Sequence, residues 1–343
     1  MKCKSIDALR GGEVLAEPIV SPRKDTIIPR GTVLKTEYLP LIASMGIQTV
    51  MMEDPYEDYV TPHPIIENPH FDYFVERVRG IMEGHIHSAN NELREFEMIA
   101  NEIIKAIMDI PDDVIIDVTE RNADLYEHTI MVTLLSVFIG KRLHLDKQKL
   151  YNLALGSLLH DIGIRYITVP YEHIDPKTVD PVAMFELKKH TILGYSAMDT
   201  ENWIPEVSKK MILSHHERID GTGYPMRQKN KEIEIRILQV CDIFDCCITG
   251  MEGKKQSLQD TLHILAQRAG IGLDKRAVEQ LLDIVALYPV GTEVRTTDET
   301  QGIVIAHTED KNNPIIMIVD ENEKKFQQKN LMLEKDVSIT SVL

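Results

Sequence analysis

Two short islands in this 343-residue chain concentrate side chains able to hold metal ions: His160-Asp161-Ile162-Gly163 and, roughly fifty residues later, His215-His216-Glu217-Arg218. A His-Asp pair sets an imidazole lone pair beside a carboxylate that can bridge two cations, and a His-His pair adds nitrogen donors of the kind transition metals prefer. His128, His190 and Asp242 stand before, between and after the islands. Consecutive donors are separated by about a helix and its connection, the order expected of inward-facing ligands in a helical bundle. Asp124 precedes His128 by four residues, on the same face if that segment is helical, and joins the expected set as a further carboxylate. His144, His173, His263 and His307 stand outside this pattern and are read as ordinary core or surface histidines.

The elements that must position these donors are legible in the hydrophobic pattern. Leu150, Leu153, Ala154, Leu155, Leu158 and Leu159 make a stretch apolar nearly all round, a buried helix that delivers His160 and Asp161 at its end. Phe74, Val78, Ile81 and Met82, then Met98, Ile99, Ile103, Ile104 and Ile107, have helical amphipathic spacing. Before them, short β-like runs at 13–16, 26–28, 32–34 and 47–52 and a short helix at 37–45 describe a small α+β module, and Pro55, Pro62 and Pro64 punctuate a linker. After Tyr288-Pro289, runs at 292–296, 302–306 and 315–319 read as strands, with a hairpin loop at 309–313. The expected fold is mainly α: a helical bundle flanked by a small N-terminal α+β module and a small C-terminal β module. The expected boundaries are 1–60 for the N-terminal module, 61–118 for linker and amphipathic helices, 119–287 for the catalytic bundle and 288–343 for the C-terminal module. Sensing, partner docking and capping of the bundle stay open as roles for the terminal modules.

Gly221-Thr222-Gly223-Tyr224-Pro225 follows the second island. Glycine permits positive φ and close backbone approach while proline fixes the exit, so the turn can hold one shape beside the site. Stacking on a base, contact with a partner protein and simple packing are equal readings of Tyr224. Glu217, Arg218 and Asp220 either support the ligands by ion pairing or form a solvated charged turn.

Composition bounds the function. A 43% hydrophobic content is globular, and a formal charge of −16 argues against general binding to nucleic acid or anionic membrane. Cys3, Cys241, Cys246 and Cys247 lack metal-finger or disulfide-framework spacing and read as reduced thiols. No apolar run is long enough to span a bilayer and residues 1–20 lack a signal-peptide core, so the expected location is cytoplasmic.

With those residues in view, Leu158-Leu159-His160-Asp161-Ile162-Gly163 and the run from His215 to Pro225 resemble the two signature motifs of the HD-GYP domain, a branch of the HD phosphohydrolase superfamily. The resemblance covers roughly residues 120–285 and includes His190 and Asp242-Ile243-Phe244-Asp245. It implies an HD-type bundle that hydrolyses cyclic di-GMP to linear pGpG, and onward to GMP in some members, with two or three iron or manganese ions. It implies His128, His160, Asp161, His190, His215, His216 and Asp242 as ligands, Asp161 as the bridge, and Asp124 at the place of a carboxylate for a third metal. The implied nucleophile is hydroxide held between two cations, with Asp161 the catalytic carboxylate. Cyclic di-GMP is then the expected ligand, and a signalling protein or a second copy of the chain are open as partners. A low-turnover nucleotide-binding or protein-interaction module, or a phosphohydrolase for another nucleotide, is the alternative reading.

The chain departs from that pattern twice. Ile164 stands where the family usually has a phosphate-contacting Lys, and Arg165 follows it. A guanidinium can bind the same phosphate in bidentate fashion, which makes Arg165 an expected catalytic and substrate-binding residue. Met251-Glu252-Gly253-Lys254 replaces an Arg-Pro-Tyr-Arg run, leaving Lys254 as the expected second cation at the substrate, with Tyr224 as the third expected contact.

Overall fold

Leu125, Ile130, Val132, Leu134, Leu135, Val137, Phe138 and Ile139 occupy positions all round one helix, and every one is fully buried. A helix apolar on all faces has to sit inside a layer of others, and this one is the axis around which the chain's larger unit is built. The computed structural model describes the chain except residues 1, 7–8, 10, 21–25, 48, 54–60, 86–91, 172–178, 252, 321–324 and 335. It forms two units, one of Met1–His63, Ile115–Asn122 and Ala286–Leu343, the other of Pro64–Val114 and Ala123–Val285.

The first unit holds the β structure. Strands β1 (Lys2–Ser5) and β4 (Thr49–Met52) pair antiparallel, as do β2 (Ile19–Val20) and β3 (Thr26–Ile28), with α1 (Leu39–Ser44) between β3 and β4. Leu15, Leu34, Ile42 and Met52 close a core of their own there. The run expected as a strand at 13–16 contributes only single bridges, Val14 to Val33 and Leu15 to Met52. At the other end β5 (Glu293–Thr296), β6 (Gln301–Ala306), β7 (Ile315–Asp320), β8 (Lys325–Asn330) and β9 (Ile339–Val342) form an antiparallel sheet in the order β8-β7-β6-β5-β9. Val290, Val294, Val304, Ile316 and Leu331 pack under it. Asp117 ties the stretches together, because its carboxylate accepts from the backbone N–H of His63 (2.8 Å) and of Val290 (2.9 Å) and lies 2.7 Å from His307 Nε2. Of the expected linker prolines, Pro55 lies outside the described residues.

The second unit is helical: α2 (Asn68–His85), α3 (Glu95–Met108), α4 (Leu125–Arg142), α5 (Lys147–Leu159), α6 (Pro181–Lys188), α7 (His190–Met198), α8 (Glu206–Ser214), α9 (Ile233–Thr249), α10 (Leu258–Arg268) and α11 (Lys275–Ile284). The all-buried helix is α4, which packs on α2, α3, α5, α9 and α11. Helix starts follow local chemistry: Asp124, Asp146, Asp180, Ser257 and Asp274 each accept a backbone N–H of the first turn they precede. The units do not follow the consecutive order of the four sequence segments. Helices α2 and α3 share a unit with the bundle because Phe74, Val78, Phe96, Ile99, Ile103 and Ile107 are buried there. Met98, placed on the apolar face by spacing alone, is 54% exposed.

Candidate metal centre

Each histidine of the cluster sits where a helix begins, ends or turns its face inward. His160 and His215 cap the C-termini of α5 and α8, His190 opens α7, His128 lies in the first turns of α4, and Asp242 lies midway along α9. Carbonyls near such helix ends lack an intrahelical partner, and the imidazoles use them. His160 Nδ1 donates to Ser157 O (2.7 Å), His190 Nδ1 to Leu187 O (2.7 Å) and His215 Nδ1 to Ile212 O (2.9 Å). A carbonyl only accepts, so the proton is on Nδ1 and the Nε2 lone pair of each ring is left for a ligand. His128 is held instead by a carboxylate, with Nδ1 2.8 Å from Asp245 Oδ2.

Asp161 stands at the centre with its two oxygens divided. Oδ2 lies 3.4 Å from His160 Nε2 and 3.9 Å from His128 Nε2, while Oδ1 lies 3.4 Å from His190 Nε2 and 3.3 Å from His215 Nε2. Asp242 Oδ1 is 3.4 Å from His128 Nε2, and Asp242 Oδ2 is 3.9 Å from His216 Nδ1. Donor atoms of Asp161, His190, His215 and His216 fall within 4.8 Å of one another, as do those of His128, His160 and Asp161.

These residues fit divalent cations on three grounds. Ligands about 2.0–2.2 Å from one ion, at tetrahedral to octahedral angles, stand about 2.8–3.6 Å apart, and most of the spacings above fall there. His128 Nε2, His160 Nε2 and Asp161 Oδ1 are buried with no hydrogen-bond partner among the described residues, a costly state unless something else binds them. His190 Nε2 and His215 Nε2 face each other at 3.0 Å. With both Nδ1 atoms protonated, that juxtaposes two lone pairs, which a shared cation relieves.

The charges agree. Burial pushes the His128 imidazole down, but the carboxylates of Asp242 and Asp245 beside it outweigh that and raise it to about 10. Burial lowers His160 to about 4, leaving it neutral. Burial disfavours charge on Asp161 and Asp242 as well, yet the imidazoles around them, His160 foremost for Asp161 and His128 for Asp242, hold both carboxyls below the usual range. Both are therefore ionised and ready to ligate.

Support comes from backbone that only glycine permits. A Cβ on Gly163 would lie 1.8 Å from His190 O and 2.7 Å from Gly194 N, so the short 3-10 turn Ile162–Tyr166 can rest against the start of α7 only without one. That contact sets Asp161 beside His190. In the Gly-Thr-Gly-Tyr-Pro loop, a Cβ on Gly223 would meet Glu217 Cα and His216 O at 2.4 Å. Glu217, fully buried, holds the loop by accepting from Met226 N (2.6 Å) and Gln228 N (3.0 Å). Gln239 on α9 donates to Ser214 O (3.0 Å), fixing the end of α8 just before His215.

Four further expected site residues, Asp124, Lys254, Tyr224 and Arg165, are placed as follows. Asp124 is not brought into the donor groups: as N-cap of α4 it accepts from Tyr126 N and Glu127 N, and Arg79 holds its other oxygen at 2.6 Å. Asp124 stands one position before the helix, and its carbonyl accepts from the His128 N–H at 3.0 Å. Lys254 is exposed on the turn after α9, and no described interaction joins its side chain to the cluster. The Tyr224 ring lies 4.6 Å from His216 at 18°, with Lys188 Nζ 5.0 Å from its centroid, so its π surface is engaged in packing the ligand. Arg165 lies four residues beyond Asp161 with Nε buried and without a hydrogen-bond partner, and its charge acts on Tyr126 of α4. Sequence reasoning missed Asp245 and Lys188 as supports and Cys246 as a neighbour. Cys246 follows Asp242 by four residues on α9, a signal that helical spacing offered.

Residues 113–276 match the family model described as HD domain. Among curated proteins, the chain is similar to the cyclic di-GMP phosphodiesterase PA4108 of Pseudomonas aeruginosa, with 26% identity over 60% of this chain and 51% of that one. It is similar to the cyclic di-GMP phosphodiesterase response regulator RpfG of Xanthomonas campestris, with 29% identity over 42% and 39%, and to the 3′3′-cGAMP-specific phosphodiesterase 2 of Vibrio cholerae, with 30% identity over 37% and 25%. The chain spans about half or less of the length of these relatives. Among solved structures, Bd1817, described as a HDG"Y"P protein from Bdellovibrio bacteriovorus, aligns with a TM-score of 0.47 at 17% identity over 82% of this chain and 98% of that one.

Proposed function

We propose that the chain, whose residues 113–276 match the HD-domain model, is a member of the HD-GYP branch and a metal-dependent phosphodiesterase that opens cyclic di-GMP to linear pGpG. One observation carries the reading: the two oxygens of Asp161 face different imidazole pairs, His128 with His160 and His190 with His215, as a carboxylate shared between two cations must. His128, His160, Asp161 and Asp242 would hold one ion, and His190, His215, His216 and Asp161 the other. Bound ions would supply Lewis acidity toward the phosphodiester and an acidified water, probe metals of first choice being iron and manganese.

The chain's own residues provide the remainder. The carbonyls of Ser157, Leu187 and Ile212 hold three imidazoles by Nδ1 so that Nε2 is aimed inward, and little reorganisation would accompany loading. Asp245 accepts a hydrogen bond from His128 Nδ1 and fixes that ring. Arg165, four residues past Asp161 and with a buried Nε, would bind a non-bridging phosphate oxygen, in the role that Ile164, itself buried, cannot fill.

Turnover of a cyclic dinucleotide panel by metal-loaded protein tests the proposal. The expected outcome is pGpG from cyclic di-GMP, abolished in Asp161→Asn together with loss of bound metal. Faster hydrolysis of 3′3′-cGAMP would move the substrate assignment, and undiminished hydrolysis by metal-depleted Asp161→Asn would sink the mechanism.

A further inference from the structure

Helix α9 carries a second potential donor one turn beyond Asp242. Cys246 Sγ lies 3.5 Å from Asp242 Oδ1, the same oxygen that faces His128 Nε2 at 3.4 Å. The donor atoms of His128, Asp242 and Cys246 all lie within 4.8 Å of one another. His128 Nε2 is fully buried, has no hydrogen-bond partner and points into this group. Cys246 itself is half-buried and in no disulfide. A metal–sulfur bond of about 2.3 Å beside a metal–oxygen bond of about 2.1 Å, at an angle near tetrahedral, separates the two donors by about 3.5 Å.

We propose that Cys246 is a thiolate ligand of the ion held by His128 and Asp242, which makes that position a mixed nitrogen, oxygen and sulfur site. The inference rests on the metal centre proposed above and deepens it. As the sulfur–metal bond forms, the thiol proton passes to solvent and the cation takes its place. A soft donor beside imidazole and carboxylate favours ferrous, zinc or cobaltous ions over manganese and magnesium at that position. The competing account is a thiol that does no more than donate a hydrogen bond to Asp242.

Cobalt(II) titration of the metal-free full-length protein separates the two. Visible ligand-field bands report that cobalt is bound, and a near-ultraviolet thiolate-to-cobalt charge-transfer band reports sulfur coordination. We expect both in the wild type, loss of the charge-transfer band alone in Cys246→Ser, and retention of both in Cys247→Ser. Cobalt affinity should fall about tenfold or more in Cys246→Ser, the scale of disrupted metal support, with manganese affinity changed far less. Ligand-field bands without a charge-transfer band in the wild type, or a band that survives in Cys246→Ser, would overturn the proposal and leave the metal centre standing. Absence of any cobalt binding would remove both. Should Cys246→Ser misfold, iodoacetamide labelling of the wild type followed by mass spectrometry serves instead: cobalt must slow alkylation of Cys246 relative to Cys247, and equal slowing or none refutes the assignment.

Discussion

A proton sits on His128 where the proposed centre would take a cation. In the metal-free protein that imidazole stays charged up to about 10 because Asp242 and Asp245 flank it, whereas His160, lowered to about 4 by burial, is neutral at any working pH. Binding at His128 Nε2 must therefore expel a proton at pH values where an ordinary imidazole has none to give. In Cys246→Ser protein, which lacks the nearby thiol, calorimetry in buffers of different ionisation enthalpy should show metal-linked proton release persisting at pH 8 and fading as pH approaches 10. Affinity should rise with pH across that window, and no release at pH 8 would contradict the flanking-carboxylate account. Arg165 belongs to the same scale. Arg165→Ala should lower kcat/KM about 10- to 150-fold, equivalent to the 1.5–3 kcal/mol of a hydrogen bond to a charged group. Ile164→Lys should be neutral or harmful, since it would set a second cation into a buried position. Steady-state kinetics on the two variants decides between Arg165 and a site that relies on its metals for charge.

At the scale of elements, the donors were legible because ligand chemistry tolerates few residue types: the His-Asp and His-His islands and the all-apolar run of α5 announce themselves locally. The capping role of Asp124 was not legible for an equally local reason, since one residue separates an N-cap from a ligand-bearing face and periodicity does not resolve it. Strands β8 and β9 escaped because Lys325–Asn330 and Ile339–Val342 lack a clean alternation and depend on sheet neighbours. Close approaches were invisible in sequence, where Gly163 is one letter of a motif. Gly163→Ala should cost roughly 1–3 kcal/mol, as overpacking does, and should lower metal occupancy by pushing Asp161 away from His190. Gly80→Ala in α2, where a Cβ would meet nothing within 4 Å, should instead stabilise by about 0.5–1 kcal/mol. Paired denaturation curves and metal analysis check both, and an innocuous Gly163→Ala would show that the turn yields without consequence.

At the scale of the whole molecule, all the ligands proposed lie within one unit, Pro64–Val114 with Ala123–Val285. A chain from Pro64 to Val285 should accordingly keep the metal stoichiometry of the full protein, measured by elemental analysis after gel filtration. A folded fragment without metal would mean that residues of the other unit support the centre. Domain organisation was the least legible property, because the unit built from Met1–His63, Ile115–Asn122 and Ala286–Leu343 is joined by hydrogen bonds between residues 54 to 190 positions apart. Nothing in the local pattern of Asp117 announces that it joins them.

That discontinuity sets an order of events during synthesis. At roughly 5–20 residues per second, the ribosome needs on the order of ten to forty seconds to pass from His63 to Ala286. The early core of Leu15, Leu34, Ile42 and Met52 is complete within the first segment and can collapse at once. Asp117, by contrast, waits for Val290 and His307 to emerge, so its carboxylate is among the last groups of the nascent chain to be satisfied. The helices of the other unit are therefore finished before Asp117 finds its partners, and the unit that holds residues 1–63 and 286–343 is sealed last.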